Sequence, residues 1–189
     1  DDEQQVDVVD ATISCAPRLV AEELASDASI GSAIDAANFE NCLTSVHDDK
    51  GRDLSSGLQA VAEEVPGGPD GQEAVVALFD ECISGESMAQ FIAESAAADP
   101  AMADAVDSDC LGGSFSEPGA LSPLWQAVVA NPGADFEELD PETTESFMGP
   151  FFDCISFGQV MAGAASEDGV TLSDSSIACI DPPSWVAIR

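Results

Sequence analysis

The chain has 189 residues, with 37 Asp and Glu against four Lys and Arg, a single His and a formal net charge of −33. Four basic residues cannot neutralise a track of phosphates, and so much negative charge repels anionic headgroups, which excludes nucleic acid and membrane surfaces as main partners. No apolar run approaches the roughly 20 residues of a membrane span, yet 45% hydrophobic residues and a mean hydropathy of +0.08 are too apolar for a disordered acidic tail.

From the amino end, apolar periodicity and helix punctuation predict helices at about 4–15, 17–26, 29–46 and 54–64. Pro69-Asp70 then precedes a helix of about 72–84, which Gly85 ends, and a second follows at about 86–98. Asp99-Pro100 reads as an N-cap with Pro at the first helical position, opening a third helix that reaches Cys110. Gly112-Gly113 stops it, and Ser122-Pro123 opens a fourth. The last stretch gives a helix from Thr143/Thr144 to about 156, one at about 158–165, and a Ser173-capped helix to about 180. Tyr is absent and no alternating run exceeds a few residues, so the expected class is all-α.

The cysteines show how these helices are organised. They fall at Cys15, Cys42, Cys82, Cys110, Cys154 and Cys179, and taken as consecutive pairs their internal gaps are 27, 28 and 25. First members recur after 67 and 72 positions and second members after 68 and 69, which points to a tandem unit of about seventy residues. The flanks agree: Val8, Val9 and Thr12 precede Cys15 as Val75, Val76 and Phe79 precede Cys82, and as Phe147, Met148 and Phe151 precede Cys154. Each set forms an i, i+1, i+4, i+7 stripe, placing the first cysteine on a buried helix face. Downstream, Leu54, Leu58, Val61 and Ala62 match Leu121, Trp125, Val128 and Val129 at a shift of 67. The expected organisation is three disulfide-bridged helical repeats, 1–68, 69–140 and 141–189. The last is truncated, because Ser184–Arg189 supplies only a stub of its fourth helix.

An even cysteine count in a chain that starts at Asp1, as a secreted protein does after signal-peptide cleavage, predicts disulfides and an extracellular location. No two cysteines lie closer than 25 positions, so the short knuckle of a zinc site is missing. Six cysteines allow fifteen connectivities. A duplicated unit should carry its own bridge, which favours Cys15–Cys42, Cys82–Cys110 and Cys154–Cys179. Acidity with almost no Lys keeps an abundant secreted protein soluble, and it also suits a salty medium that screens carboxylate repulsion.

The elements Phe79-Asp-Glu-Cys82-Ile83 and Phe151-Phe-Asp-Cys154-Ile155, with their paired cysteines, resemble those of acidic, secreted helical repeat proteins of actinobacteria. The likeness covers about two-thirds of the chain; the first copy departs from it with Thr12 and Ala16. It implies a secreted helical fold and no activity.

Candidate chemistry is sparse. His47 sits in Ser45-Val-His-Asp-Asp-Lys-Gly-Arg-Asp53, which reads as a polar inter-helix loop. It could pair with Asp48 or Asp49, but Gly-x-Ser-x-Gly is absent, so a solvated loop His is the adopted reading. Lys50 and Arg52 share the segment and are expected to damp repulsion or pair with acidic helix ends. Carboxylates at any spacing are available for glycosidase chemistry, but no aromatic platform for a sugar accompanies them. Acidic stretches at Asp48/Asp49/Asp53, Asp104/Asp107/Asp109, Glu137/Glu138/Asp140/Glu142 and Glu167/Asp168/Asp174 offer hard oxygens for calcium. Asp107-Ser-Asp109 begins like an EF-hand, but Leu111 and Pro118 occupy its fifth and twelfth places. Neither a resident cofactor nor a metal site is expected, only diffuse and weak binding of calcium.

The leading expectation is therefore a non-enzymatic, secreted structural protein that partners itself, assembling head to tail with an extracellular filament as the extended form. Solenoid ends need polar caps. Here Val6 and Val9 at one end, and Trp185, Val186, Ile188 and Arg189 at the other, are the expected assembly interface. The alternative is a monomeric binding module for a small apolar ligand, divalent cations or a cationic partner. Its pocket would be lined by Phe147, Phe151, Phe152, Phe157 and Met161, which otherwise form core.

Overall fold

The structure, a computed structural model, describes residues 2–26, 33–99, 102–132, 141–167 and 169–180, excluding the side chains of Asp2, Glu142, Glu145, Ser146, Phe147 and Glu167. Among these residues it is all-helical. The helices are α1 (Asp2–Cys15), α2 (Pro17–Ser26), α3 (Ala36–Lys50), α4 (Arg52–Ala62), α5 (Pro69–Cys82), α6 (Gly85–Ala97), α7 (Ser108–Phe115), α8 (Ser122–Ala130), α9 (Pro141–Asp153), α10 (Phe157–Glu167) and α11 (Asp174–Ile180). Val106 and Ile155 form one isolated antiparallel bridge.

Local chemistry sets the helix starts. Asp35 Oδ1 accepts from the Ala37 and Asn38 amides at the head of α3, Ser84 Oγ from Ser87 at α6, and Asp107 Oδ1 from Cys110 at α7. Each occupies an otherwise orphaned donor of a first turn. Pro69 and Pro123 sit in the first turns of α5 and α8, where a missing N–H costs nothing.

Three boundaries differ from the sequence expectation. Helix α3 starts at Ala36 and runs through His47 to Lys50, so the segment read as a loop is mostly its last turn. Helix α7 starts at Ser108 under the Asp107 cap, and Gly112 and Gly113 lie inside it. The close approach of α6 and α7 is made at Gly85 instead, where an added Cβ would stand 2.4 Å from the Phe115 carbonyl carbon. Helix α9 ends at Asp153, and Cys154 follows it, hydrogen bonded through its carbonyl to the Asp107 amide.

Packing runs along the chain. Helix α2 lies on α3, α6 on α7 and α10 on α11, while α1 lies on α4 and α5 on α8. These groups join through α4 on α5 and α3 on α5, then α8 on α9 and α7 on α9. Leu43, Leu54, Val75, Leu78, Leu111 and Val129 are buried in a shared core. The rings of Phe79 and Trp125 meet there with centroids 5.3 Å apart.

The disulfides correct the expected pairing. Cys42 bonds Cys82 and Cys110 bonds Cys154, with Cα separations of 5.6 and 5.5 Å, while Cys15 and Cys179 are unpaired and exposed. Bonds Cys15–Cys42, Cys82–Cys110 and Cys154–Cys179 do not form. The reason is packing: α3 lies against α5 and α7 against α9, and the bonded cysteines sit in those two contacts.

Candidate functional site

Helices α1, α3 and α4 bring a small polar cluster together. Asp10 on α1 offers Oδ1 to two donors, His47 Nε2 from α3 at 3.0 Å and Ser55 Oγ from α4 at 3.0 Å. Arg52, at the start of α4, is hydrogen bonded to Asp7, one turn earlier on α1. The hydrogen bond from His47, and then that from Ser55, hold the Asp10 carboxyl below its ordinary range. His47 is therefore no solvated loop residue: its side chain is 13% exposed, and its partner is Asp10, not Asp48 or Asp49.

The arrangement has Asp, His and Ser, but in the wrong order for nucleophilic catalysis. A triad needs the imidazole between the carboxylate and the hydroxyl, so that it can take the hydroxyl proton. Here the carboxylate stands in the middle, and Ser55 donates to Asp10 without touching His47. The cluster ties three helices together. Lys50 lies 3.6 Å from Asp49, and Arg18 pairs with Glu22 and reaches Glu40 at 3.7 Å. The described cations thus compensate carboxylates of α1, α2 and α3.

The described aromatic residues near Cys154 do not form a filled core. Phe152, Phe157 and Met161 are exposed, and only Phe151 packs partly against the core. The rings of Phe152 and Phe157 stack with centroids 6.3 Å apart, and Phe151 meets Phe152 edge-on at 5.8 Å. The Phe147 side chain lies outside the described residues. An open groove of about 530 Å³ exists elsewhere, lined by Arg18, Ile34, Asn38, Ser87 and Gln90. Its polar rim does not suit a small apolar ligand.

At the amino end, Val6 is half-buried, and Val9 packs against the core. Val8, 65% exposed, shares the outer face of α1 with Cys15. Trp185, Val186, Ile188 and Arg189 lie outside the described residues, as do Glu137, Glu138, Asp140 and Asp168. Among the described residues, no group of three or more His, Cys, Asp or Glu converges to hold a metal ion. Asp107 and Asp109 instead cap and begin α7, and Asp53 lies in the first turn of α4.

Sequence reasoning missed Asp10 and Ser55, and it placed Val8 on a buried face where the structure exposes it. The signal for Asp10 was its spacing: Asp7 and Asp10 stand three apart on one helix, opposite a chain that concentrates its basic residues at 47–52. No protein-family model matches the chain, and neither a curated protein nor a solved structure matches it.

Proposed function

We propose that the protein is a secreted, non-enzymatic structural protein built from three tandem helical units, 1–68, 69–140 and 141–189, and that copies associate head to tail. The carrying observation is the recurrence of the same helix pairings. The pairs α2·α3, α6·α7 and α10·α11 repeat within units, and α4·α5 with α3·α5 repeats between units as α8·α9 with α7·α9. A stack in which each unit leans on the next uses one kind of contact many times, and that contact can also join separate molecules.

Three further features support the reading. Disulfides persist in oxidising compartments, which fits an extracellular location, and no helix among the described residues is long and apolar enough to cross a membrane. The exposed Phe152, Phe157 and Met161 form an apolar strip near one end of the stack, the kind of surface that marks association. The one His is committed to Asp10, which leaves no base positioned beside a nucleophile there.

Light scattering over a concentration series at low and high salt tests the proposal. Association that strengthens with protein concentration and with salt is expected, because salt screens repulsion between like-charged copies. A monomer at every concentration in high salt would overturn it.

A further inference from the structure

The geometry points to a covalent head-to-tail junction, in which Cys179 of one copy bonds Cys15 of the next. The inference rests on the assembly reading above and adds the bond that would hold it.

Both internal bridges follow one rule. A cysteine on a third helix, Cys42 of α3 or Cys110 of α7, bonds a cysteine at the end of a following first helix, Cys82 at the end of α5 or Cys154 just after α9. Cys179 lies on α11, which packs on α10 as α3 packs on α2 and α7 on α6. Cys15 is the last residue of α1, as Cys82 is of α5. Each unpaired thiol thus stands where its counterparts are bonded, and both are exposed. Within 1–189 this rule leaves Cys179 without a following partner and Cys15 without a preceding one.

A second observation, independent of the sulfurs, concerns what covers the helix face. Val75 and Leu78 share the Cys82 face of α5 and are wholly buried, with Gly57 of α4 directly against Val75. At the same positions of α1, 67 residues earlier, Val8 and Ala11 are exposed beside Cys15. The face that a preceding unit covers on α5 is uncovered on α1. Its amino-terminal half differs, since Gln4 and Asp7 stand where α5 has Gly71 and Ala74. A second copy therefore meets this face at its Cys15 end, where a bond would add to the apolar contact. Packing runs from α1–α4 onto α5–α8 and then onto α9–α11, and among the described residues no substantial contact joins the first and last groups, so the two thiols do not meet within this stack.

The chemistry is thiol–disulfide exchange with a low-molecular-weight disulfide as oxidant. The Cys179 thiolate attacks that disulfide, forming a mixed disulfide and releasing one small thiol. The Cys15 thiolate of the next copy then attacks the Cys179 sulfur, forming the Sγ–Sγ bond and releasing the second small thiol. Two protein thiols are oxidised, one small disulfide is reduced to two thiols, and two protons pass to those products.

The test uses the whole chain incubated with oxidised glutathione, followed by non-reducing electrophoresis and peptide mapping. Wild type should give a ladder whose linked peptides join Cys179 to Cys15. Cys15→Ser and Cys179→Ser, each mixed with itself, should lose the ladder, while an equal mixture of the two should give one dimer and nothing larger. Either residue is unpaired and exposed, so the Ser variants should melt as wild type does. A bond within one molecule, or Cys15–Cys15 and Cys179–Cys179 links in place of the mixed one, would overturn the junction. Light scattering of the double variant separates the two ideas. If wild type shows no ladder but the double variant still associates at high salt, the bond fails and the assembly reading stands; if neither associates, both fail.

Discussion

Gly57 and Gly71 bring α4 and α5 into backbone contact. A Cβ on Gly57 would stand 2.2 Å from the Gly71 carbonyl oxygen and 2.6 Å from a Val75 methyl, whereas one on Gly71 would stand 3.1 Å from the Gly57 backbone. The crossing is closer than any side chain allows, and it lies in the contact that joins the first segment to the second. Gly57→Ala must separate the helices or deform them, at a cost of about 3 kcal/mol. Gly71→Ala should cost less. Urea melts of the two variants check the order, and equal stability of Gly57→Ala and wild type would contradict the crossing.

The bridge Cys42–Cys82 spans 40 residues, and closing a loop of that length stabilises by about 4 kcal/mol in the chain-entropy model. The double variant Cys42→Ser/Cys82→Ser should lose that amount in urea unfolding. Tandem mass spectrometry of the unreduced protein should show Cys42 linked to Cys82 and Cys110 to Cys154, while Cys82 linked to Cys110 would refute the arrangement.

Asp10 gives acid sensitivity a local source. Its folded pKa is depressed by His47 and Ser55, so its contribution is present above the ordinary carboxylate value, about 3.9, and is lost as pH falls through the depressed one. Asp10→Asn should therefore be less stable than wild type at pH 7, and the gap should narrow at pH values below about 3.9. Thermal melts across that range decide it; a gap of constant size would show that the carboxylate charge is irrelevant.

Self-repulsion of the −33 charge should make stability depend on salt. The screening length falls from about 30 Å at 0.01 M to about 3 Å at 1 M. The melting temperature should rise over that interval. A flat response would mean that the carboxylates are far enough apart to ignore each other.

The all-α class was legible because Val75, Leu78 and Phe79, or Leu54 and Leu58, recur at helical spacing and burial follows that spacing. Helix starts were legible where a side chain itself supplies the cap or the proline, as at Ser122-Pro123 and Ser173. The stop read at Gly112 was not, because a glycine inside a helix and one that ends it look alike in sequence. Disulfide partners were illegible for a related reason. Spacing says that cysteines recur, but only the packing of α3 on α5 says that Cys42 faces forward to Cys82 and not back to Cys15. His47 was misread because its partner, Asp10, lies 37 residues away on another helix.

The forward direction of the two bridges also governs how the chain carries tension. Pulled from its ends, the polypeptide transmits force through Cys42–Cys82 and Cys110–Cys154, and the loops between those cysteines, 40 and 44 positions long, stay slack inside covalent rings. Roughly 280 Å of contour is thereby withheld from extension, at about 3.4 Å per residue. Helices α4, α5, α8 and α9, with the parts of α3 and α7 that follow Cys42 and Cys110, lie within the rings and bear no direct load. Stretching lengthens only the stretches before, between and after them, until a reductant opens the rings.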